Sequence, residues 1–413
     1  SAADAELLQA LLGFFDRFAE YNQHDVREET AAVYRRIGDI HRQLGRFEEA
    51  TKAYEQALVA YRQLPDDIDD SLGLSLTVAE VLNSVGLAES WAGSTHEAVE
   101  RHQQALEVLG TAPGPVSNPR LRHERARTLN LLGSVDLRAG DGIMLGAMRT
   151  RRRGEGTSGE EAPAARGPGR GRGRQRALEA EMLAEANREA LAILEALCGE
   201  DPMNAEFRHE LANCRRNQVV LACREGDVGT AREAQLAAVA AFERLVEDFP
   251  DVPTYQCELA DTLCMQLPGH RGSAPIEREW TLRALQIAED LRTIYPWETS
   301  YRALWATALA RFAASQADAG EHGDAADNYT RAADAFHALA ERPGAPASYK
   351  TAHVRALQGL GEALLEQGRR VESRQILQRA IAEVASQGNW RRPAYRGLLS
   401  RLRKSLAAAE EPD

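Results

Sequence analysis

The sequence predicts an all-α fold, a right-handed superhelical solenoid of about seven helical hairpins. The main observation is a pattern of small and large residues that recurs at about 47 residues through most of the chain. A second is length, since 413 residues exceed the size at which a single hydrophobic core stops growing. Aromatic residues are only 6% of the chain, while alanine and leucine are abundant, which favours stacked helices.

The clearest copy of the pattern is residues 31–64, AAVYRRIGDIHRQLGRFEEATKAYEQALVAYRQL. Gly38 and Ala50 are small enough for two antiparallel helices to cross closely there. Gly45 suits the left-handed conformation that ends a helix. Tyr54 and Ala57 fall on one face of the second helix, which we expect to pack onto the next hairpin.

The same frame recurs six more times along the chain. The positions equivalent to Gly38 are Gly86, Gly133, Val219, Leu267, Ala313 and Gly361, so the intervals are 48, 47, 86, 48, 46 and 48 residues. One interval is therefore too long by about 38 residues, and it contains an Arg/Gly-rich segment. The fifth copy is degenerate, with Pro268 and Pro275 breaking the pattern.

These repeats divide the chain into five predicted regions. We expect an N-terminal helix within residues 1–24, hairpins one, two and half of three in 25–140, a disordered insertion at 141–176, the remaining hairpins in 177–388, and a capping helix and tail in 389–413. The insertion lacks large apolar residues between Met148 and Leu178, so it cannot build a core. Its position at a hairpin turn costs little loop-closure entropy.

The frame of residues 31–64 resembles the tetratricopeptide signature, although the period here exceeds the standard unit of about 34 residues. It is similar to the extended arrays that follow the catalytic domain of large bacterial serine/threonine kinases and that occur in other bacterial signalling proteins. The resemblance implies a non-catalytic scaffold that recruits or regulates a partner protein in a bacterial signalling system. The alternative is the regulatory C-terminal region of a larger kinase or protease whose catalytic domain lies outside this chain.

Catalytic motifs are missing from the sequence. The closest kinase-like triplets are His41-Arg42-Gln43, which lacks the aspartate base, and Asp248-Phe249-Pro250, which lacks the glycine. No phosphate loop, HExxH or GxSxG element occurs. Ten dispersed histidines and five cysteines without CxxC spacing predict neither a metal site nor a disulfide framework. We therefore expect no catalytic, cofactor-binding or metal-binding residues, no cofactor, and reduced, mostly buried thiols.

The net charge of −12 argues against a general nucleic-acid-binding surface. The sequence has no uninterrupted apolar window of about 18 residues and no lysine-led secretory signal, so we expect a cytoplasmic protein without a membrane span. Its oligomeric state stays open, with self-association through the degenerate fifth hairpin as one hypothesis.

In such a superhelix the first helix of each hairpin lines a concave groove. The resemblance implies that the residues facing this groove bind a partner protein or peptide, and the arginine and asparagine chemistry suggests an acidic or C-terminal segment. The competing interpretation is that the arginines pair with acids of neighbouring helices and bind nothing. The predicted groove residues are Arg35, Asp39, Arg42, Asn83, Trp91, Arg127, Asn130, Arg138, Arg216, Asn217 and Arg224.

The Arg/Gly-rich segment from Arg149 to Arg176 carries nine arginines against three glutamates. Three interpretations stay open: a solvated neutral insertion, a flexible contact arm for an acidic protein surface, and an arm for single-stranded nucleic acid. The third lacks interleaved aromatic residues for base stacking, so nucleic acid is disfavoured. The arginines of the predicted contact arm are Arg151, Arg152, Arg153, Arg166, Arg170, Arg172 and Arg174.

Overall fold

A computed structural model describes residues 27–44, 46–64, 70–139, 169–267, 275–342, 345–386 and 393–410, together with Ala10, Gly13 and Arg17. Within these ranges the chain forms fifteen α-helices and no β-strand. The described residues up to 241 form one compact unit and those from 242 onward form another. The predicted all-α solenoid of helical hairpins is confirmed within each unit, and seven consecutive helix pairs match the seven predicted hairpins.

In the N-terminal unit the helices follow one another in four pairs, the last of which runs into the boundary between the units. They are α1 (Arg27–Gln43), α2 (Phe47–Arg62), α3 (Ser71–Ala92), α4 (Thr95–Thr111), α5 (Pro119–Ala139), α6 (Gly169–Glu200), α7 (Ala205–Glu225) and α8 (Val228–Asp248). We call the first helix of each pair an A helix and the second a B helix.

In the C-terminal unit three further pairs are followed by a single helix. They are α9 (Pro253–Leu263), α10 (Pro275–Ile294), α11 (Thr299–Asp318), α12 (His322–Ala340), α13 (Ala347–Glu366), α14 (Arg370–Ser386) and α15 (Pro393–Glu410). The short α9 and the start of α10 at Pro275 agree with the degenerate fifth repeat. Helix α15 lies in the region predicted to hold a capping helix, and it contacts α13 and α14; its capping role stays a prediction.

The turns between A and B helices use glycine as the sequence predicts. Gly93, Gly226, Gly320 and Gly368 have positive φ angles of 92°, 81°, 82° and 76° at the ends of their A helices. Only glycine adopts this left-handed conformation without a steric penalty. Gly45, the glycine predicted to end the first A helix in this conformation, lies outside the described residues.

The close helix crossings also follow the prediction. A Cβ atom added to Gly38 would lie 2.5 Å from the Tyr54 ring, one on Gly86 would lie 2.8 Å from His102, and one on Gly361 would lie 2.7 Å from Leu377 Cγ. Each contact partner follows its glycine by 16 residues and belongs to the paired B helix. Glycine is therefore required because the B-helix side chain occupies the space of a Cβ.

The third hairpin locates the insertion. Gly133 packs against Asn187, with an added Cβ lying 3.6 Å from Asn187 Cβ. The two residues are 54 apart instead of 16, which leaves 38 extra residues in this hairpin. The predicted insertion length is thus consistent with the packing of α5 on α6.

The predicted C-terminal boundary of the insertion is wrong. Helix α6 begins at Gly169, so the residues from 169 to 176 are helical rather than irregular. Absence of a core does not prevent these residues from being helical, because a helix that is already nucleated further along the chain extends without forming a new nucleus. The arginines and the glutamine favour this extension and the three glycines oppose it. Residues 140–168 lie outside the described residues, as does most of the predicted N-terminal helix.

One helix in the described ranges, α3, has the length and apolar composition of a membrane span. It packs against α2 and α4, and it buries the polar side chains of Asn83 and Glu89. Leu76, Leu82 and Val85 of α3 lie in one core cluster with Tyr54 and Leu58 of α2. Its apolar character is therefore accounted for by its position between neighbouring helices.

Candidate functional site

Polar side chains connect successive A helices of the N-terminal unit. Arg35 Nη2 of α1 donates to Glu80 Oε2 of α3 at 2.7 Å. Asn83 Nδ2 of α3 donates to Thr128 Oγ1 of α5 at 2.8 Å. Both pairs are 45 residues apart, close to one repeat period, so the same helix face is used in each layer.

Asn83 is the centre of a buried network. Its Nδ2 also donates to Glu124 Oε1 at 3.0 Å, and its Oδ1 lies 2.9 Å from His102 Nδ1. Because the amide oxygen can only accept, the hydrogen in the last contact belongs to His102 Nδ1. Burial raises the pKa of Glu124 to about 7, against the opposing effect of Arg127.

A second network joins the third and fourth A helices. Asn217 Nδ2 of α7 donates to Asn130 Oδ1 of α5 at 2.6 Å, and Asn130 Nδ2 donates to Glu210 Oε2 at 3.0 Å. Arg127 lies between two carboxylates, with Nη1 at 3.4 Å from Glu124 and Nε at 3.9 Å from Glu210. These contacts fix the positions of α5 and α7 relative to one another.

The predicted role of the asparagines in partner binding is therefore corrected. Asn83, Asn130 and Asn217 are 1%, 5% and 9% exposed and bond to neighbouring A helices, so they are not available to a peptide backbone. The repeat register correctly assigns them to the A helices. It does not distinguish the open part of that face from the flank that the next repeat covers.

Two of the arginines in the predicted groove are already paired with glutamates. Arg35 and Arg127 pair with Glu80, Glu124 and Glu210, as in the competing interpretation from the sequence. This part of the surface is not basic, because glutamates balance the arginines. A sequence signal existed for the Arg35 pair, since Glu80 follows it by about one repeat period and offers the opposite charge.

Asp39 and Arg42 support the first helix crossing. Tyr54 Oη donates to Asp39 Oδ1 at 2.8 Å and accepts from Arg42 Nε at 3.4 Å. Burial and the Asp39 charge raise the pKa of Tyr54 to about 12. The Tyr54 hydroxyl therefore stays protonated at neutral pH and connects Asp39 and Arg42, which lie one turn apart on α1.

Trp91 is the predicted groove residue with the clearest accessible surface. Its side chain is 46% exposed, and its ring stacks on Phe47 with 6.2 Å between centroids and 14° between planes. Arg216 is half-buried and Arg224 is exposed. The side chain of Arg138 and those of all seven predicted arm arginines lie outside the described residues, although Arg170, Arg172 and Arg174 are within the span of α6.

Three buried cysteines have raised thiol pKa values. Burial raises the pKa of Cys214 to about 12, that of Cys223 to about 11 and that of Cys264 to about 12. A raised pKa keeps a thiol protonated and unreactive at neutral pH. In the described part of the chain, no three histidine, cysteine, aspartate or glutamate side chains converge on a common point suited to a metal ion.

Residues 31–64 match the family model of the tetratricopeptide repeat. They form a tetratricopeptide repeat. This stretch contains α1, the Gly38–Tyr54 crossing and α2. Four other described A helices end at a glycine with positive φ, and the Gly86 and Gly361 crossings repeat that of Gly38, so the chain carries an array of tetratricopeptide-like hairpins. An association with bacterial kinases stays a prediction.

Several solved structures share features with the array at low sequence identity. A tetratricopeptide repeat protein from Parabacteroides merdae is 11% identical over 91% of this chain and 99% of its own, with a TM-score of 0.39. The RpL4 assembly chaperone Acl4 is 13% identical over 90% and 95%, with a TM-score of 0.30. A monomeric mutant of IFIT1 with Gppp-AAAA is 12% identical over 97% and 94%, with a TM-score of 0.33. No curated protein matches the sequence significantly.

Proposed function

We propose that this chain is a non-catalytic scaffold that recruits or regulates a partner protein in the cytoplasm, within a bacterial signalling system. The fold supports the general role, because tetratricopeptide arrays typically bind proteins through surfaces built from repeated helices. The resemblance to extended arrays of bacterial signalling proteins supports the narrower setting.

The exposed Trp91–Phe47 stack is the observation that carries this proposal. Tryptophan and arginine are enriched among the residues that dominate binding energy at protein interfaces. Trp91 already packs against Phe47, and a ring with an existing packing partner loses less side-chain entropy when a partner protein covers it. Arg36 and Arg42 lie on α1 of the first hairpin, next to the hairpin that carries Trp91. Their side chains are 73% and 39% exposed and offer polar contacts.

The test compares partner capture by the wild-type chain and by Trp91→Ala. Partners are identified by affinity purification with quantitative mass spectrometry, and binding is then measured with the purified partner. We expect Trp91→Ala to weaken binding about tenfold or more, the effect of removing an interface anchor of about 1.4 kcal/mol or greater.

Val59→Ala is the matched control for this experiment. Val59 is an exposed apolar residue on the B helix α2, with 55% of its surface accessible. The substitution removes apolar area from the helix that carries Phe47 and replaces neither member of the Trp91–Phe47 stack. Equal partner affinity for wild type and Trp91→Ala, with both chains folded by circular dichroism, would contradict the proposed surface.

A further inference from the structure

Helix α15 presents a basic surface to solvent, although the chain as a whole is acidic. It carries four cationic residues and one acid, Glu410, in a chain with a net charge of −12. Arg396, Arg403 and Lys404 are exposed, and none of the three has a hydrogen-bond or ion-pair partner among the described residues. We call these three residues the basic face of α15.

The helical period places the basic face on one side of α15. Arg396 and Arg403 are seven residues apart, which is about two turns of an α-helix, so their side chains project in nearly the same direction. Ser400 and Ala407 share this side and are exposed, whereas Leu402 is buried in the core cluster that includes α14. Small side chains between the cations allow another surface to approach closely.

The acid that contacts α15 lies away from the basic face. Ser405 Oγ donates to Glu362 Oε1 of α13 at 2.7 Å, and Ser405 is half-buried. Burial lowers the pKa of Arg401, and the charge of Glu362 opposes that effect, so this carboxylate acts on the inner flank of the helix. The charge of the basic face is therefore not balanced within the described part of the C-terminal unit.

An acidic surface lies on two B helices of the N-terminal unit. Gln103 Nε2 of α4 donates to Met182 Sδ of α6 at 3.4 Å, so the outer faces of these helices meet there. Exposed glutamates lie within about one turn of these two residues on their own helices. We call the four glutamates the acidic patch, and they are Glu100, Glu107, Glu181 and Glu185.

The acidic patch keeps most of its negative charge. Glu107, Glu181 and Glu185 have no ion-pair or hydrogen-bond partner among the described residues, and Glu100 has only His96 Nε2 at 3.4 Å. Arg188 of α6 is the arginine beside the patch. The wider region has the same sign, because residues 1–111 contain 20 acidic and 9 basic residues.

We propose that the basic face of α15 docks onto the acidic patch of a second copy of this chain. Charge complementarity supports this occupant, because one sequence supplies both surfaces and each lacks a partner of its own. The contact joins two different surfaces, so a third copy can add to the second in the same way. It assigns self-association to α15 instead of the degenerate fifth hairpin, and it goes beyond the scaffold role proposed above.

The first experiment measures the molecular mass of the full chain against its concentration by sedimentation and light scattering. In about 0.1 M sodium chloride the Debye length is about 10 Å, which screens the long-range repulsion between acidic chains more than the docked charges. We expect the mass to rise with concentration there. In about 1 M salt, where the Debye length is about 3 Å, we expect a monomer.

Reversal of the basic face tests its role in this association. A cap variant with Arg396→Glu, Arg403→Glu and Lys404→Glu should associate at least tenfold more weakly than the wild type in about 0.1 M salt. The control variant has the same change in net charge at exposed cations of the N-terminal unit, and it should associate like the wild type. Its substitutions are Lys52→Glu, Arg62→Glu and Arg120→Glu.

A charge swap identifies the second surface. A patch variant carries lysine at all four positions of the acidic patch. The patch variant and the cap variant should each stay monomeric alone and associate when mixed, because mixing pairs an acidic cap with a basic patch. Circular dichroism and thermal melting confirm that both are folded. Point substitutions are used because removal of α15 would also expose its apolar contact with α14.

Three results would overturn the inference. The first is a wild-type chain that stays monomeric at every concentration in about 0.1 M salt. The second is a mixture of the cap and patch variants that stays monomeric. The third is a monomeric wild type that binds a single-stranded oligonucleotide through the basic face, which would assign that face to nucleic acid. Each result leaves the scaffold proposal intact, because Trp91→Ala tests that proposal with a purified partner.

Discussion

Buried polar residues determine which positions on the A helices can meet a partner. Asn83, Asn130 and Asn217 occupy the face that the sequence assigns to binding, yet each is buried and bonded to a neighbouring repeat. A buried amide must be hydrogen-bonded, and these bonds specify how neighbouring A helices align. At this scale the sequence correctly places the asparagines on A helices, whereas their use in packing depends on the neighbouring helix.

Glu124 offers a test of this buried network through pH. Its pKa is raised to about 7 by burial, so the folded chain holds the proton more tightly than the unfolded chain. The resulting stabilisation is complete below the unfolded pKa of about 4.3 and is lost as the pH rises through about 7. Relative to Glu124→Gln, the wild type should therefore lose roughly 1 to 3 kcal/mol of unfolding free energy between pH 4.5 and 8.

Urea unfolding of both chains across this pH range measures the difference. Glu107→Gln is the control, because Glu107 is exposed on α4. A wild-type to Glu124→Gln difference that stays constant with pH would show that Glu124 has the same pKa in the folded and unfolded chains, and would contradict the raised pKa.

At the scale of helices, glycine sets how closely the members of a hairpin approach. Gly361→Ala should lower the unfolding free energy by about 1 to 3 kcal/mol, since the new methyl group would overlap buried Leu377. Gly397→Ala on α15 has open space around it and should raise the unfolding free energy by about 0.5 to 1 kcal/mol.

Chemical unfolding followed by tryptophan fluorescence compares the two alanine variants with the wild type. The substitution is identical in both, so helix propensity acts in the same direction. Stabilisation by Gly361→Ala would mean that the α13–α14 crossing is looser than the structure indicates.

The insertion in the third hairpin shows which of its properties the sequence repeat predicts and which it does not. The register located the 38 extra residues, because hairpin spacing is otherwise nearly constant. Its boundary was not predictable, because helix α6 extends back to Gly169 through a stretch that holds three glycines, which have poor helix propensity. The repeat pattern predicts where paired helices must exist, but it does not predict how far a helix continues beyond the pair.

At the scale of the whole molecule, each unit of the array must close its exposed ends. Leu398 and Leu402 of α15 are buried in one core cluster with Leu377 and Val384 of α14. Removing residues 392–413 should expose that cluster, lower the melting temperature of the C-terminal unit and promote self-association, because an uncapped repeat presents an apolar face.

Thermal melting and light scattering of the shortened chain test this expectation. A chain lacking only residues 411–413 is the control, since it keeps α15. An unchanged melting temperature and an unchanged molecular mass after removal of residues 392–413 would show that α15 does not act as a cap.

The sequence by itself determined the helical class, the seven hairpins, the turn glycines and the presence of a helix after the last hairpin. These features follow from local sterics, because small residues at a fixed spacing are needed where paired helices cross closely and where A helices end. Tertiary structure alone decided that the asparagines join A helices and that Arg35 and Arg127 are matched by glutamates. Those properties depend on which side chain of another repeat lies within hydrogen-bonding distance, and spacing along one chain does not encode that distance.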